Sequence, residues 1–211
     1  MANSTKLHES VVGVLLAGGQ ARRMGGGDKC LKVLGGTTLL DRAIQRAAPQ
    51  VDTLILNANG DAKRFALSGL PIVADVIGGF AGPLSGVLTA LEWAAENVPN
   101  FQTVASFPTD SPFFPADVVE AMLEARRQTG AILARAAWKG RSHPVFGIWP
   151  VNLRHELRLA LEGGERKIER WTEQYPIVTV EFTSVGLDPF FNANTPGDLV
   201  QAERILSEAK A

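Results

Sequence analysis

The chain has one cysteine among its 211 residues. That excludes an internal disulfide and any zinc site built from several thiolates, and it suits a reducing, cytoplasmic setting. No apolar run reaches membrane-spanning length. Residues 1–9 are polar and lack the hydrophobic centre of a secretion signal. A flexible tail over 1–10 is expected ahead of one domain over 11–211. The formal net charge is −1, so bulk charge gives no case for nucleic acid or an anionic membrane as partner. Any polyanion must be held by local geometry. Internal repeats, linkers and low-complexity segments are also missing. What remains is a chain long enough for one sizeable α/β domain.

Against this plain background one segment stands out. An apolar run over 11–16 reads as a buried strand. It leads into Ala17-Gly18-Gly19-Gln20-Ala21-Arg22-Arg23-Met24-Gly25-Gly26-Gly27-Asp28-Lys29-Cys30-Leu31. The five glycines permit tight turns and close approach of backbone to a ligand. Arg22, Arg23, Lys29 and Lys32 face one acid, Asp28, a local balance of +3. A glycine-rich, cationic turn at the carboxyl end of a strand suits a polyphosphate. The common phosphate motifs fail, however. GxxxxGK[ST] needs glycine before the lysine and a hydroxyl after it, but Lys29 lies between Asp28 and Cys30. GxGxxG needs glycine where Cys30 stands.

The segment instead resembles the LAGGxxxRMGxxK signature of nucleotidyltransferases. With its paired arginines, GG and DK it is similar to the molybdenum cofactor guanylyltransferases of the MobA-like family. The resemblance runs from Val11 to the last helix. It implies transfer of GMP from GTP to molybdopterin with release of pyrophosphate, aided by Mg²⁺. It also implies nucleotide contacts at Leu16, Ala17, Gly18, Gly19, Arg22, Lys29, Asn57, Asp75 and Asp110. Lys29, Asp110 and Arg23 would carry the catalysis, with Asp110 as metal ligand. Asn192 and Asn194, in a segment resembling the family's NxNTP, would bind the second substrate. Implied partners are GTP, molybdopterin, and proteins that deliver molybdopterin or mature molybdoenzymes. The rivals are an enzyme using CTP or a sugar phosphate, and a non-catalytic GTP-binding regulator. The second could dispense with Asp110 and the 192–194 segment.

The rest of the sequence alternates strand and helix. Strands are expected at 11–16, 53–57, 71–74, 101–107, 131–137, 144–149 and 177–182. Helices are expected at 38–48, 61–68, 83–95, from Pro115 to Gly130, 151–161, 166–173 and 195–209. Thr195 is a hydroxyl cap for the last helix, with Asp198 three residues on. Strands spaced by helices imply right-handed crossovers and a single-domain, three-layer, mainly parallel Rossmann-like sheet. Ligands then bind beyond the carboxyl ends of the strands. Four of these strands end in Gly18-Gly19, Asn57-Ala58-Asn59, Asp75 and Asp110, which are groups a nucleotide and its metal use.

Several residues carry two readings. Asp110 sits between Pro108 and Pro112, either as a Mg²⁺ ligand shared with phosphates or as a cap for the turn. The family often has a cysteine-rich turn where this chain has Phe107-Pro108-Thr109-Asp110. Asp75 precedes a second glycine cluster, Gly78 to Gly86, which resembles the family's GPLxG segment and reads either as base contact or as a simple turn. Cys30 is an activated thiol or a small space-filler. Arg141-Ser142-His143-Pro144-Val145 opens a strand in the half expected to admit the second substrate. Nothing visible makes His143 a triad member. Trp93, Trp138, Trp149 and Trp171 read as core.

Overall fold

The computed structural model describes residues 9–18, 27–79, 82–184 and 188–208. The strands are β1 (Val11–Leu16), β2 (Val33–Leu34), β3 (Thr37–Thr38), β4 (Thr53–Asn57), β5 (Ile72–Val73), β6 (Thr103–Pro108), β7 (Leu133–Trp138), β8 (Arg141–Pro150) and β9 (Ile177–Glu181). The helices are α1 (Leu39–Ala47), α2 (Pro83–Asn97), α3 (Val118–Thr129), α4 (Arg154–Glu162), α5 (Ile168–Thr172) and α6 (Pro196–Glu208). Seven strands form one sheet in the order β5-β4-β1-β6-β8-β7-β9. Only β8 runs against the others, pairing antiparallel with β6 and β7.

The alternation of side chains along β1 divides the core in two. Val11 and Leu15 point to the face covered by α1 and α3, where Leu40, Ala43, Val118 and Met122 pack. Val12 and Val14 point to the face covered by α2, α4 and α5, with Leu84, Leu88, Leu157 and Trp171. A parallel strand buried on both faces reads as the continuous apolar run seen in the sequence. Trp149 and Trp171 are core residues, as expected. A third, small cluster joins α6 to the β2–β3 ribbon through Leu34, Leu39, Ala193 and Ala202.

Among the departures from the sequence reading, β8 begins at Arg141 and not at Pro144, and two others concern a helix start and an added ribbon. The third helix begins at Val118, not Pro115. Residues 112–115 are instead tied down by side chains from the α1 region: Arg46 donates to the Pro112 and Phe114 carbonyls, and Gln50 to that of Pro115. The Gln50 carbonyl oxygen then accepts from Val119 N (3.1 Å) and does the work of an N-cap. The β2–β3 ribbon was not expected. Two-residue strands are too short to show a period of two.

Candidate active site

At the carboxyl ends of the parallel strands, Leu16 lies beside Asn57 of β4 on one side and Pro108 of β6 on the other. The chain winds from β1 outward through β4 and β5, then crosses back to β6. That makes β1 the switch point where an open α/β sheet binds its ligand. Because β8 is antiparallel, its beginning lies at this same edge. Its ladder with β6 ends at Gly147, and the residues before it, 141–146, form one wall of a cavity of about 610 Å³. Leu16, Gly18, Lys29, Asn57, Asp75, Asp110 and Asn192, all singled out from the sequence, line it together. Ala17 lies behind the lining, its N–H donating to the Asn57 carbonyl (2.9 Å). Gly19, Arg22 and Arg23 lie outside the described residues.

One end of the cavity is a fixed array of amides around a carboxylate. Asn57 Nδ2 donates to Asp75 Oδ1 (2.9 Å) and Asn59 Nδ2 to Asp75 Oδ2 (2.8 Å). Asn59 Oδ1 accepts in return from Asp75 N (2.9 Å). Each carboxylate oxygen keeps a lone pair for a further donor. Gly86 of α2 sits directly behind this array, and a Cβ there would overlap Asn57 Oδ1 and Leu16 Cδ2. Of the second glycine cluster, Gly86 is the position where such a close approach requires glycine. The Leu16 carbonyl, by contrast, is engaged by Thr109, from both its N–H (3.4 Å) and its hydroxyl (3.1 Å).

The middle of the cavity holds the charges. Lys29 is buried, and its ammonium forms an ion pair with Asp110 and donates to Asn194 Oδ1 (2.5 Å). The 192–194 segment reaches this place because α6 is anchored on the β2–β3 ribbon, and because Ala193 N donates to the Asp110 carbonyl (2.9 Å). Asn192 Oδ1 accepts from the Ser111 hydroxyl (2.6 Å). The expected cap of α6 forms reciprocally: Asp198 N donates to Thr195 Oγ1, and Asp198 Oδ2 accepts from Asn194 N and Thr195 N. Asn194 itself is not among the cavity-lining residues but touches the site through Lys29. Cys30, next along the chain, is buried, and burial foremost pushes its thiol up to about 12, so it is space-filling and not an activated nucleophile.

The far wall adds residues that carried little signal in the sequence. Arg141, His143 and Phe146 come from β8 and Glu169 from α5. The His143 ring lies on Phe190 at 4.8 Å between centroids, with Nε2 3.9 Å from Asp188 Oδ1. Burial holds this imidazole below its ordinary value, against the pull of Asp188, so it is neutral at pH 7. Glu169 sits on a five-residue helix with nothing in its spacing to mark it. Asn59, by contrast, belongs to the strand-end group Asn57-Ala58-Asn59 and lines the same cavity.

Among the described residues no group of three or more acidic, histidine or cysteine side chains is arranged for a metal ion. No helix among them is long and apolar enough to cross a membrane. The family model described as MobA-like NTP transferase domain matches residues 13–178. The chain belongs to this family. Members are nucleotidyltransferases, which generally use a divalent metal. A molybdenum cofactor guanylyltransferase of Rhodopseudomonas palustris (strain BisB5) is 51% identical over 199 residues, covering 94% of this chain and 95% of that protein. One of Nitrobacter hamburgensis is 52% identical over 194 residues, covering 92% and 93%. In structure the chain is similar to molybdopterin-guanine dinucleotide biosynthesis protein A of Archaeoglobus fulgidus. There the TM-score is 0.74 at 23% identity, over 93% of this chain and 99% of the other. That likeness supports the three-layer nucleotidyltransferase fold.

Proposed function

We propose that this chain transfers GMP from GTP to the terminal phosphate of molybdopterin and releases pyrophosphate. The observation that carries the reading is the meeting of Lys29, Asp110, the Asn57–Asp75 array and Asn192 around one cavity, in a chain about half identical to guanylyltransferases. In this reaction an oxygen of the acceptor phosphate forms a bond to the α-phosphorus. The bond from the α-phosphorus to the bridging oxygen breaks, and its electron pair leaves with pyrophosphate. No covalent enzyme intermediate is needed, so the protein contributes positioning and charge neutralisation.

The Asp75 carboxylate, fixed by two amides, would accept from guanine N1–H and the exocyclic amine. Backbone N–H groups near Gly18 would donate to O6. Lys29 would hold the triphosphate, with Arg22 and Arg23 assisting the leaving pyrophosphate. Asn192 and Asn194 would orient the molybdopterin phosphate, within the wall formed by Arg141 and His143. The donor set fits a magnesium ion shared between protein and substrate, because one or two carboxylates plus substrate phosphates are what Mg²⁺ commonly takes. Asp110 is the residue to hold it, its carboxylate partly exposed in the cavity and balanced by Lys29. When bound, such an ion offsets charge on the phosphates in the transition state.

The test is pyrophosphate release from each of the four nucleoside triphosphates, with and without molybdopterin. GTP is expected to be used at least roughly a hundredfold better than ATP or CTP, because a wrong base leaves buried polar groups unpaired. Equal use of CTP would move the protein to a cytidylyl transfer, and use of none would favour a regulator.

A further inference from the structure

One cation close to the site plays no part in the reaction as described. Arg64 lies in the 3₁₀ segment Ala62–Ser68 that follows β4. Its guanidinium gathers one carboxylate and two backbone carbonyls. Nη1 donates to both carboxylate oxygens of Asp28 (2.6 and 2.5 Å), Nη2 to the Asn59 carbonyl (2.5 Å), and Nε to the Asp61 carbonyl (3.0 Å). The group rests 4.9 Å from the centroid of the Phe65 ring, itself buried. Room for it depends on Gly60, which has φ +86° and where a Cβ would come within 3.1 Å of Nη2. A planar fork used in this way fixes geometry as well as charge, which a lysine cannot imitate.

The two ends of this clasp are functionally unequal. Asp28 is the residue immediately before Lys29, and its carbonyl accepts from Leu31 N (3.2 Å) in the turn that carries the lysine. Asn59 is one of the two amides that fix Asp75. We infer that Arg64 is a positioning residue that latches the Lys29 turn to the β4 loop and so presets the ammonium for the triphosphate. An isolated surface ion pair contributes little, but this guanidinium makes four hydrogen bonds that join two segments, the Asp28 turn and the loop over 59–61. Without the latch the turn must be ordered by the nucleotide itself, and that ordering is subtracted from binding. The defect should therefore appear in the affinity for triphosphate and KM, with kcat changed less.

The inference rests on the nucleotide-transfer reading, and two measurements separate the two. The first needs no nucleotide. In Arg64→Gln, amide hydrogen exchange across residues 28–32 should rise at least about tenfold while β6 stays protected. In Asp28→Asn the same rise should appear at residues 59–61. The second is calorimetric binding of GTP with Mg²⁺. Arg64→Gln should bind about tenfold more weakly, with Arg64→Lys between it and the parent. In a Lys29→Ala background the same change should weaken binding at most about threefold, the remainder reporting the Asn59 side of the latch. Unchanged exchange, or an equal effect with and without Lys29, overturns the latch. A parent protein that binds no triphosphate but shows the exchange coupling overturns the nucleotide-transfer reading and leaves the latch standing.

Discussion

Replacing Gly86 with alanine sets two opposing effects against each other. Gly86 is a buried residue in the second turn of α2. Alanine in a helix interior is favoured over glycine by up to about 1 kcal/mol. Yet the added Cβ would overlap Leu16 Cδ2 and Asn57 Oδ1 and lie 3.1 Å from Asn57 Cγ. Asn57 cannot swing aside freely. Its Nδ2 is bonded to the Val73 carbonyl (3.2 Å) and Asp75 Oδ1 (2.9 Å), and the residue is buried. Overpacking of a tight core costs about 1–3 kcal/mol. Losing one amide bond to a carboxylate adds roughly 1.5–3 kcal/mol. The helix gain is outweighed, and Gly86→Ala should be destabilised by about 1.5–6 kcal/mol. For a chain of this size that is a fall in Tm of about 3–14 °C. Because the displaced group is one of the two amides that fix Asp75, GTP should bind at least about tenfold more weakly, and the preference for guanine should shrink. Differential scanning calorimetry and nucleotide competition measure both. A variant as stable as its parent with unchanged base preference would refute the reasoning.

Three more outcomes are expected. Asp110→Asn keeps shape but loses the negative charge, and should lower guanylyl transfer at least about a thousandfold, on the order of 4 kcal/mol, with an unchanged circular dichroism spectrum. Near-normal turnover would remove Asp110 from the metal role. Lys29→Ala removes a point charge from phosphate and should weaken GTP, ATP and CTP binding by a similar factor of about 10–100, the scale of a charged hydrogen bond. A selective loss of guanine preference would place Lys29 at the base instead. The last concerns pH. Burial lowers the folded-state value of His143 beneath the ordinary 6.5, so only the unfolded chain gains this proton as pH first falls below that value. Stability is therefore intact above about pH 6.5 and declines beneath it until the folded state also protonates. Chemical denaturation between pH 7.5 and 5 should show a shallower decline in His143→Gln, and equal slopes would contradict this.

The sequence by itself determined the framework and the family of chemistry. Continuous apolar runs such as Val11–Leu16 and Leu54-Ile55-Leu56 are local in cause, because a strand covered on both faces needs apolar side chains in succession. Gly18, Lys29 and the strand-end residues Asn57, Asp75 and Asp110 were legible for a related reason. Once parallel strands are inferred, their carboxyl ends must share an edge. The start of α3 was not legible, since its cap is Gln50, nearly seventy positions away in sequence. The wall formed by Arg141 and His143 as the far side of the same cavity depended on β8 running antiparallel and outlasting its pairing with β6. Nothing in its own residues fixes that direction. Glu169 and the Arg64 clasp on Asp28 arise where segments far apart in sequence happen to pack. Local chemistry named the groups that a nucleotide needs. Only the tertiary fold decided which of them hold one another and which face the cavity, because hydrogen-bond partners and exposure are properties of distance in space, not of order along the chain.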